Sequence, residues 1–322
     1  MRALLHTNRG QQAQLASQVL ATGSVRGLGE GPTDGAASDT PLLDSTGVHL
    51  HCGLPLRPYQ RTAVEWMLAL MRCGLGALLA DDMGLGKTAQ ALCSVAAARL
   101  HQLRKRGADP HAPTDPAGPP SAPSSPSPGF AALVVCPAST VLHWAAECEK
   151  WFPGRADGGT FGLRPAVYLG SAAQRRSALE SVRSGRCTVL VTSYSTMRQD
   201  ADRLRWAAPS RPWDVAILDE GHVIQNAATA VSVACRSIAA GARLVLTGTP
   251  VQNSVADLWA VFDFLLPGFL GTKREFDATY ARVIHRARRR GAAAADVAAA
   301  REALARLHRQ CLPFIMRRLK AD

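Results

Sequence analysis

The stretch LADDMGLGKTAQAL, residues 79–92, decides how the chain is read. A short apolar run, GALLA (76–80), precedes a turn with two glycines, and Leu92, Val95, Ala96 and Arg99 then recur at helical spacing. A strand, a glycine turn and a helix together make a cradle for phosphate. Backbone N–H groups and the helix N-terminus attract negative charge. Gly84 and Gly86 let the backbone approach the phosphates, Lys87 reaches the β/γ oxygens, and Thr88 offers its hydroxyl to magnesium. The strict pattern G-x-x-x-x-G-K-[ST] is not met, because Asp81 stands in place of its first glycine. On the loop alone, a packing turn between strand and helix remains open.

A second stretch narrows the choice. In AILDEGH (216–222) an apolar strand ends in two adjacent carboxylates. Asp219 is placed to hold magnesium, directly or through water, and Glu220 to orient an attacking water and accept its proton. The other strand-like runs are FAALVVCP, PAVYLG, CTVLVTSY and RLVLTGTP, alternating with helical patterns. Near-continuous apolar strands of this kind predict a parallel sheet buried on both faces. Ligands of such sheets bind beyond the carboxyl ends of the strands, so Lys87, Asp219, Glu220 and Thr247 are expected along one edge.

Composition bounds the rest. The chain has 322 residues, 47% of them hydrophobic, enough for one sizeable core. No run of eighteen apolar residues suggests a membrane span, and the N-terminus lacks the apolar stretch of a secretory signal. Its lack of acidic residues leaves an organelle-targeting reading open. The 8 cysteines form no C-x-x-C pair, which argues against a zinc ribbon; they read as buried free thiols in a reducing compartment. The formal charge is +12, and residues 271–322 hold 13 Lys/Arg against 5 Asp/Glu. That excess suits either a polyanion partner or a solvated arginine-rich helix.

Residues 1–50 are expected to be a disordered N-terminal segment, with linker composition from 21 to 50. Order should begin near HCGLPLRPYQ. Eight prolines fall within residues 107–129, which read as a disordered insertion. PGRADGGT (153–160) reads as a second loop. Trp66, Trp144, Trp151 and Trp259 read as core side chains, and Ser139 as an N-cap for the helix that follows. His222 has no second histidine at ligand spacing and is not expected to bind metal.

These motifs, in this order, resemble the first RecA-like lobe of the Swi/Snf-type ATPases within the superfamily-two helicases. LRPYQ (56–60) is similar to that family's adenine-reading motif, which makes Gln60 the base contact. DDMGLGKT is similar to its phosphate loop and accounts for Asp81; Met83, Gly84, Leu85, Gly86, Lys87 and Thr88 would contact ATP. VVCPASTVLHW and VTSY are similar to loops that touch the DNA backbone, which implicates Pro137, Ser139, Thr140, Ser193 and Tyr194. LTGTPVQN resembles the motif that couples nucleotide state to DNA, through Thr247, Gly248 and Thr249. Lys87, Asp219 and Glu220 would then be catalytic, with Thr88 and Asp219 on Mg2+.

The resemblance implies a three-layer α/β lobe over residues 51–266 with a mostly parallel sheet, followed by a basic helical extension, 267–322. DEGHVIQN, LWAVFDFLLPGFLGT and LHRQCLPFIMRRLKAD most resemble the branch of TATA-binding-protein-associated factors. Remodelling enzymes more often carry alanine where Gly221 stands. The implied partners are double-stranded DNA, gripped through its backbone, and TATA-binding protein, in the nucleus, with no membrane. A chromatin-remodelling or DNA-repair translocase remains an alternative, as does a non-catalytic binding remnant. A second RecA-like lobe, which supplies transition-state arginines in the family, is expected to be missing from this chain. MRRLKAD falls where the connection between lobes begins. Alone, the chain is expected to bind ATP weakly and turn it over slowly.

Overall fold

The computed structural model describes residues 42–43, 49–50, 55–105, 129–153, 162–208, 211–248, 255–289 and 292–320. Most of the expected disordered segment 1–50, nearly all of the insertion 107–129 and most of the loop 153–160 lie outside the described residues. Within 1–50, Leu42–Leu43 and His49–Leu50 form a short antiparallel pair.

The core is one parallel sheet. Its strands are β1 (Ala77–Leu79), β2 (Ala132–Cys136), β3 (Pro165–Tyr168), β4 (Val189–Ser193), β5 (Trp213–Asp219), β6 (Ala240–Leu246) and β7 (Ile315–Met316). Their spatial order is β3-β4-β2-β5-β6-β1-β7, and every pairing is parallel. β2 and β4 are buried at every position, as strands covered on both faces must be. The expected α/β architecture with a parallel central sheet is therefore observed.

Helices flank the sheet: α1 (Pro58–Arg72), α2 (Lys87–Lys105), α3 (Val141–Trp151), α4 (Ala172–Arg183), α5 (Tyr194–Gln199), α6 (Ala230–Arg236), α7 (Val255–Leu265) and α8 (Ala294–Cys311). Local chemistry sets their ends. Pro58 opens α1, where a missing N–H costs nothing. Ser171 and Gln174 form a capping box on α4, and Thr229 caps α6. Trp66, Trp144, Trp151 and Trp259 are all buried, as expected. Cys93, Cys136, Cys148, Cys235 and Cys311 are buried free thiols, whereas Cys73 is exposed and Cys187 intermediate. Among the described residues, no helix is long and apolar enough to cross a membrane.

The basic extension packs on itself. α8 buries Ala300, Ala303, Leu307 and Cys311, a stripe at helical spacing. Tyr280 donates to Gln310 Oε1 at 2.9 Å, and Arg306 lies over its ring. Beyond α8, Phe314 is fully buried and the chain re-enters the sheet as β7, with Ile315 beside Leu78 and Met316 beside Leu79. The sheet thus crosses the expected boundary at residue 266, and this seventh strand was not foreseen. A strand of two residues carries too little periodicity to be read from sequence.

Candidate nucleotide site

The loop from β1 to α2 has the shape its glycines permit. Gly84 and Gly86 have φ of 86° and 78°, in the left-handed region that glycine enters without steric cost. A Cβ on Gly86 would stand 2.4 Å from Gln60 Nε2. The carbonyl of Leu85 gathers three donors: Tyr59 Oη at 3.2 Å, Gln60 Nε2 at 3.2 Å and Gln90 Nε2 at 2.9 Å. Gln60 Oε1 also accepts the N–H of Arg57 at 2.9 Å, so the expected base-reading side chain ties α1 to the phosphate loop.

Lys87 opens α2, and its ammonium donates to the carbonyls of Asp81 at 2.8 Å and Asp82 at 3.2 Å. Thr88 follows it in the first turn. Cation, left-handed glycines and helix N-terminus are therefore gathered in one loop, an arrangement suited to a polyphosphate. Met83 is 69% exposed. It leans over Gly248, where an added Cβ would lie 2.8 Å from Met83 Cγ and 3.4 Å from Lys87 Nζ. The loop after β6 thus reaches the phosphate loop. Buried Thr247 donates its N–H to Leu79 at 3.0 Å. Thr249 lies outside the described residues.

The acidic pair stands at the neighbouring strand end, since Asp219 pairs with Leu246 across β5 and β6. Asp219 Oδ2 accepts from Trp144 Nε1 at 2.8 Å, and Oδ1 accepts from the N–H of Glu220 at 3.0 Å. Burial raises the pKa of Asp219 above its usual 3.8; the Trp144 bond opposes this, the Glu220 charge adds to it, and Lys87 lowers it again. Of these influences that of Lys87 is the smallest. Glu220 is the one non-glycine among the described residues with positive φ, 53°, a conformation costing about 1–2 kcal/mol. Its carboxylate lies 3.2 Å from His222 Nδ1. Strain of this kind collects at functional positions.

This donor set fits magnesium and ATP. Thr88 and Asp219 are oxygen ligands of the type magnesium selects, Lys87 and the loop suit the phosphates, and partly exposed Glu220 can hold a water. Bound there, magnesium–ATP supplies an activated phosphoanhydride bond. The protein's own part would be to fix the phosphates through Lys87 and the glycine loop and to hold a water at Glu220. Burial pushes the thiols of Cys136, Cys148 and Cys235 up to about 12, so these remain neutral and unreactive.

The two expected DNA loops are neighbours, since Cys136 pairs with Ser193 at the ends of β2 and β4. Ser139 is exposed, and Pro137 and Thr140 are partly so. Ser139 does not cap α3, because Ala138–Thr140 form a 3-10 turn before it; Thr140 Oγ1 instead donates to Pro137 at 3.0 Å. Helix α3 has no side-chain cap; Ser193 instead caps the other helix, α5, by accepting the N–H of Thr196 at 3.2 Å. Ser193 and Tyr194 are buried, at 2% and 7% exposure, while Ser195 is exposed. Tyr194 Oη donates to the carbonyl of Asp219 at 2.7 Å. Both loops are therefore bound to the acidic pair, one through Trp144 on α3 and the other through Tyr194. A buried indole must find an acceptor, but nothing in the sequence said that Asp219 would be it.

A family model for the SNF2-related domain matches residues 59–322. The chain belongs to the SNF2-related family. It is 38% identical over 284 residues to TATA-binding protein-associated factor BTAF1 of Arabidopsis thaliana, covering 88% of this chain and 12% of that protein. Human TATA-binding protein-associated factor 172 is 36% identical over 284 residues, with 88% of this chain and 14% of the relative covered. Human DNA excision repair protein ERCC-6 is 31% identical over 265 residues, covering 82% and 16%. The Sulfolobus solfataricus SWI2/SNF2 ATPase core in complex with double-stranded DNA superposes with a TM-score of 0.62 at 28% identity. That match covers 87% of this chain and 47% of the solved one. The SNF2-related chain described here thus spans 12–16% of the length of these curated relatives and has the RecA-like fold of the ATPase core.

Proposed function

We propose that this chain is the ATP-binding lobe of a DNA-dependent ATPase that removes a protein, TATA-binding protein foremost, from DNA in the nucleus. The observation that carries the proposal is the meeting of Lys87 and Asp219 at one sheet edge: β1 and β5 flank β6, whose Leu246 pairs with Asp219 and whose following Gly248 lies beside the Lys87 ammonium. Lys87, Thr88 and the glycine loop take the phosphates and magnesium. Asp219 completes the metal site, and Glu220 activates water.

Exposed Ser139, with Pro137 and Thr140, meets one DNA strand through its phosphates, which gives sequence-independent, salt-sensitive binding. Ser193 and Tyr194 act from beneath, holding the second loop against Asp219. Thr247, Gly248 and Thr249 report nucleotide state to these loops. A second RecA-like lobe is the partner that supplies transition-state arginines. The branch assignment draws on the two TATA-binding protein-associated factors, which are more similar to the chain than the repair protein.

The test is equilibrium titration of the chain with a fluorescent ATP analogue and magnesium. Saturable, magnesium-dependent binding lost in Lys87→Ala supports the reading. Binding that survives Lys87→Ala, or none at all in the wild type, overturns it.

A further inference from the structure

Asp81 replaces the first glycine of the usual phosphate loop, and its side chain is completely buried. A buried carboxylate is unfavourable unless a partner neutralises it. The partner comes from the far end of the chain. Arg318 binds Asp81 three times: its backbone N–H reaches Oδ1 at 3.1 Å, its Nε reaches Oδ1 at 3.1 Å, and its Nη2 donates to Oδ2. The same guanidinium donates to Gln90 Oε1 at 2.8 Å and to the carbonyl of Tyr59, and stacks 5.0 Å over the Tyr59 ring. One side chain thus ties the loop, α1 and α2 together, which the planar fork of arginine can do and a lysine point charge cannot.

The backbone around Arg318 is just as engaged. Ala80 donates to Met316 at 2.7 Å and Asp82 donates to Arg318 at 3.0 Å, which carries the β7 pairing into the phosphate loop. The N–H of Lys320 reaches Asp82 Oδ2 at 3.2 Å. Its ammonium hangs over Gly84, 3.0 Å from where a Cβ would lie. Arg318 and Lys320, just beyond β7, thus both turn toward the phosphate loop. Asp81 and Asp82 are also the residues whose carbonyls seat Lys87. The loop is therefore held on one side by its own lysine and on the other by the returning strand.

We propose that Arg318 is a positioning residue for the phosphate loop, and that residues 315–320 form a strap whose docking and ATP binding promote each other. This rests on the nucleotide-site reading above. Reciprocity is a thermodynamic requirement: if the docked strap favours ATP, ATP must favour the docked strap.

Three measurements on the full chain test it. The first is affinity for the fluorescent ATP analogue with magnesium in the wild type, Arg318→Ala, Arg318→Lys and Lys87→Ala. The second is the thermal melt of each variant, so that titrations are run well below unfolding. The third is amide hydrogen exchange of residues 315–320 in the wild type, with and without magnesium–ATP. We expect Arg318→Ala to weaken binding by about tenfold or more, Arg318→Lys to recover part of it, and ATP to slow exchange at Arg318 and Lys320. A folded Arg318→Ala variant with wild-type affinity overturns the proposal, even if its melting temperature falls, since that describes a merely structural clamp. Should Arg318→Ala fail to fold, the exchange experiment decides: strap amides indifferent to ATP refute the coupling. Lys87→Ala separates the two ideas. Wild-type binding that Lys87→Ala abolishes leaves the nucleotide reading intact when the Arg318 result is negative, whereas a wild type that binds nothing removes both.

Discussion

Gly221, the residue after the acidic pair, offers the sharpest test of the packing around the site. A Cβ built on it would lie 2.2 Å from Val245 Cγ1 and 3.6 Å from the carbonyl of Leu246. Carbon atoms prefer about 3.5–4.0 Å, so the methyl intrudes by roughly 1.3 Å or more. Gly221 is not among the glycines with positive φ, so the obstacle to alanine is space and not backbone. Val245 is 1% exposed on a central strand, where β-branching leaves it few rotamers. Overpacking of this kind costs about 1–3 kcal/mol, and the lower unfolded-state entropy of alanine returns about 0.4–1 kcal/mol.

Gly221→Ala should therefore lose a net of about 1–2 kcal/mol. Val245→Ala alone should lose about 2 kcal/mol from two buried methyl groups and the space they leave. In the double variant the new methyl enters the space the old one vacated. The loss should then stay near that of Val245→Ala alone, with a coupling of about 1 kcal/mol or more between the sites. Urea unfolding followed by tryptophan fluorescence measures all four proteins. Losses that add to within about 0.5 kcal/mol would show that the two groups do not collide, and the account of why glycine follows Glu220 would fall with them.

Two further outcomes follow from Asp219. Trp144→Phe keeps a ring in the core but removes the donor to Oδ2; a charge-assisted bond of this sort is worth about 1.5–3 kcal/mol, so urea stability near neutral pH should drop by that order, and an unchanged midpoint would refute the link. The raised pKa of Asp219 fixes the sign of a pH effect. The folded state holds this proton more tightly than the unfolded one, so the group's contribution is full below the unfolded value, about 3.8, and is lost as pH rises through the higher folded value. The stability of the wild type relative to Asp219→Asn should accordingly fall across that window and stay flat above it; a difference independent of pH in urea titrations would contradict the assignment.

The sequence by itself determined the architecture and which polar residues gather at one edge of the sheet. Six strands were legible because each is a nearly unbroken apolar run, the pattern that burial on both faces imposes on the inner strands of a parallel sheet; the edge strand β3 is only half-buried. Lys87, Asp219 and Glu220 were legible because a strand ending in a glycine turn or in paired carboxylates must present them at the sheet edge. What held these groups in place was not legible. Trp144 looked like core, and it is core, but its one N–H is committed to Asp219. Ser193 and Tyr194 carry the residue types of a DNA contact, yet they are buried, one as a helix cap and the other beneath Asp219. Asp81 looked like a departure from a loop pattern until β7 brought Arg318 to it. Residues 237 apart in the chain leave no local trace of such a partnership. A local pattern records which faces of a segment must leave water, whereas the pairing of a buried charge depends on which distant segment packs beside it, and only the folded chain specifies that.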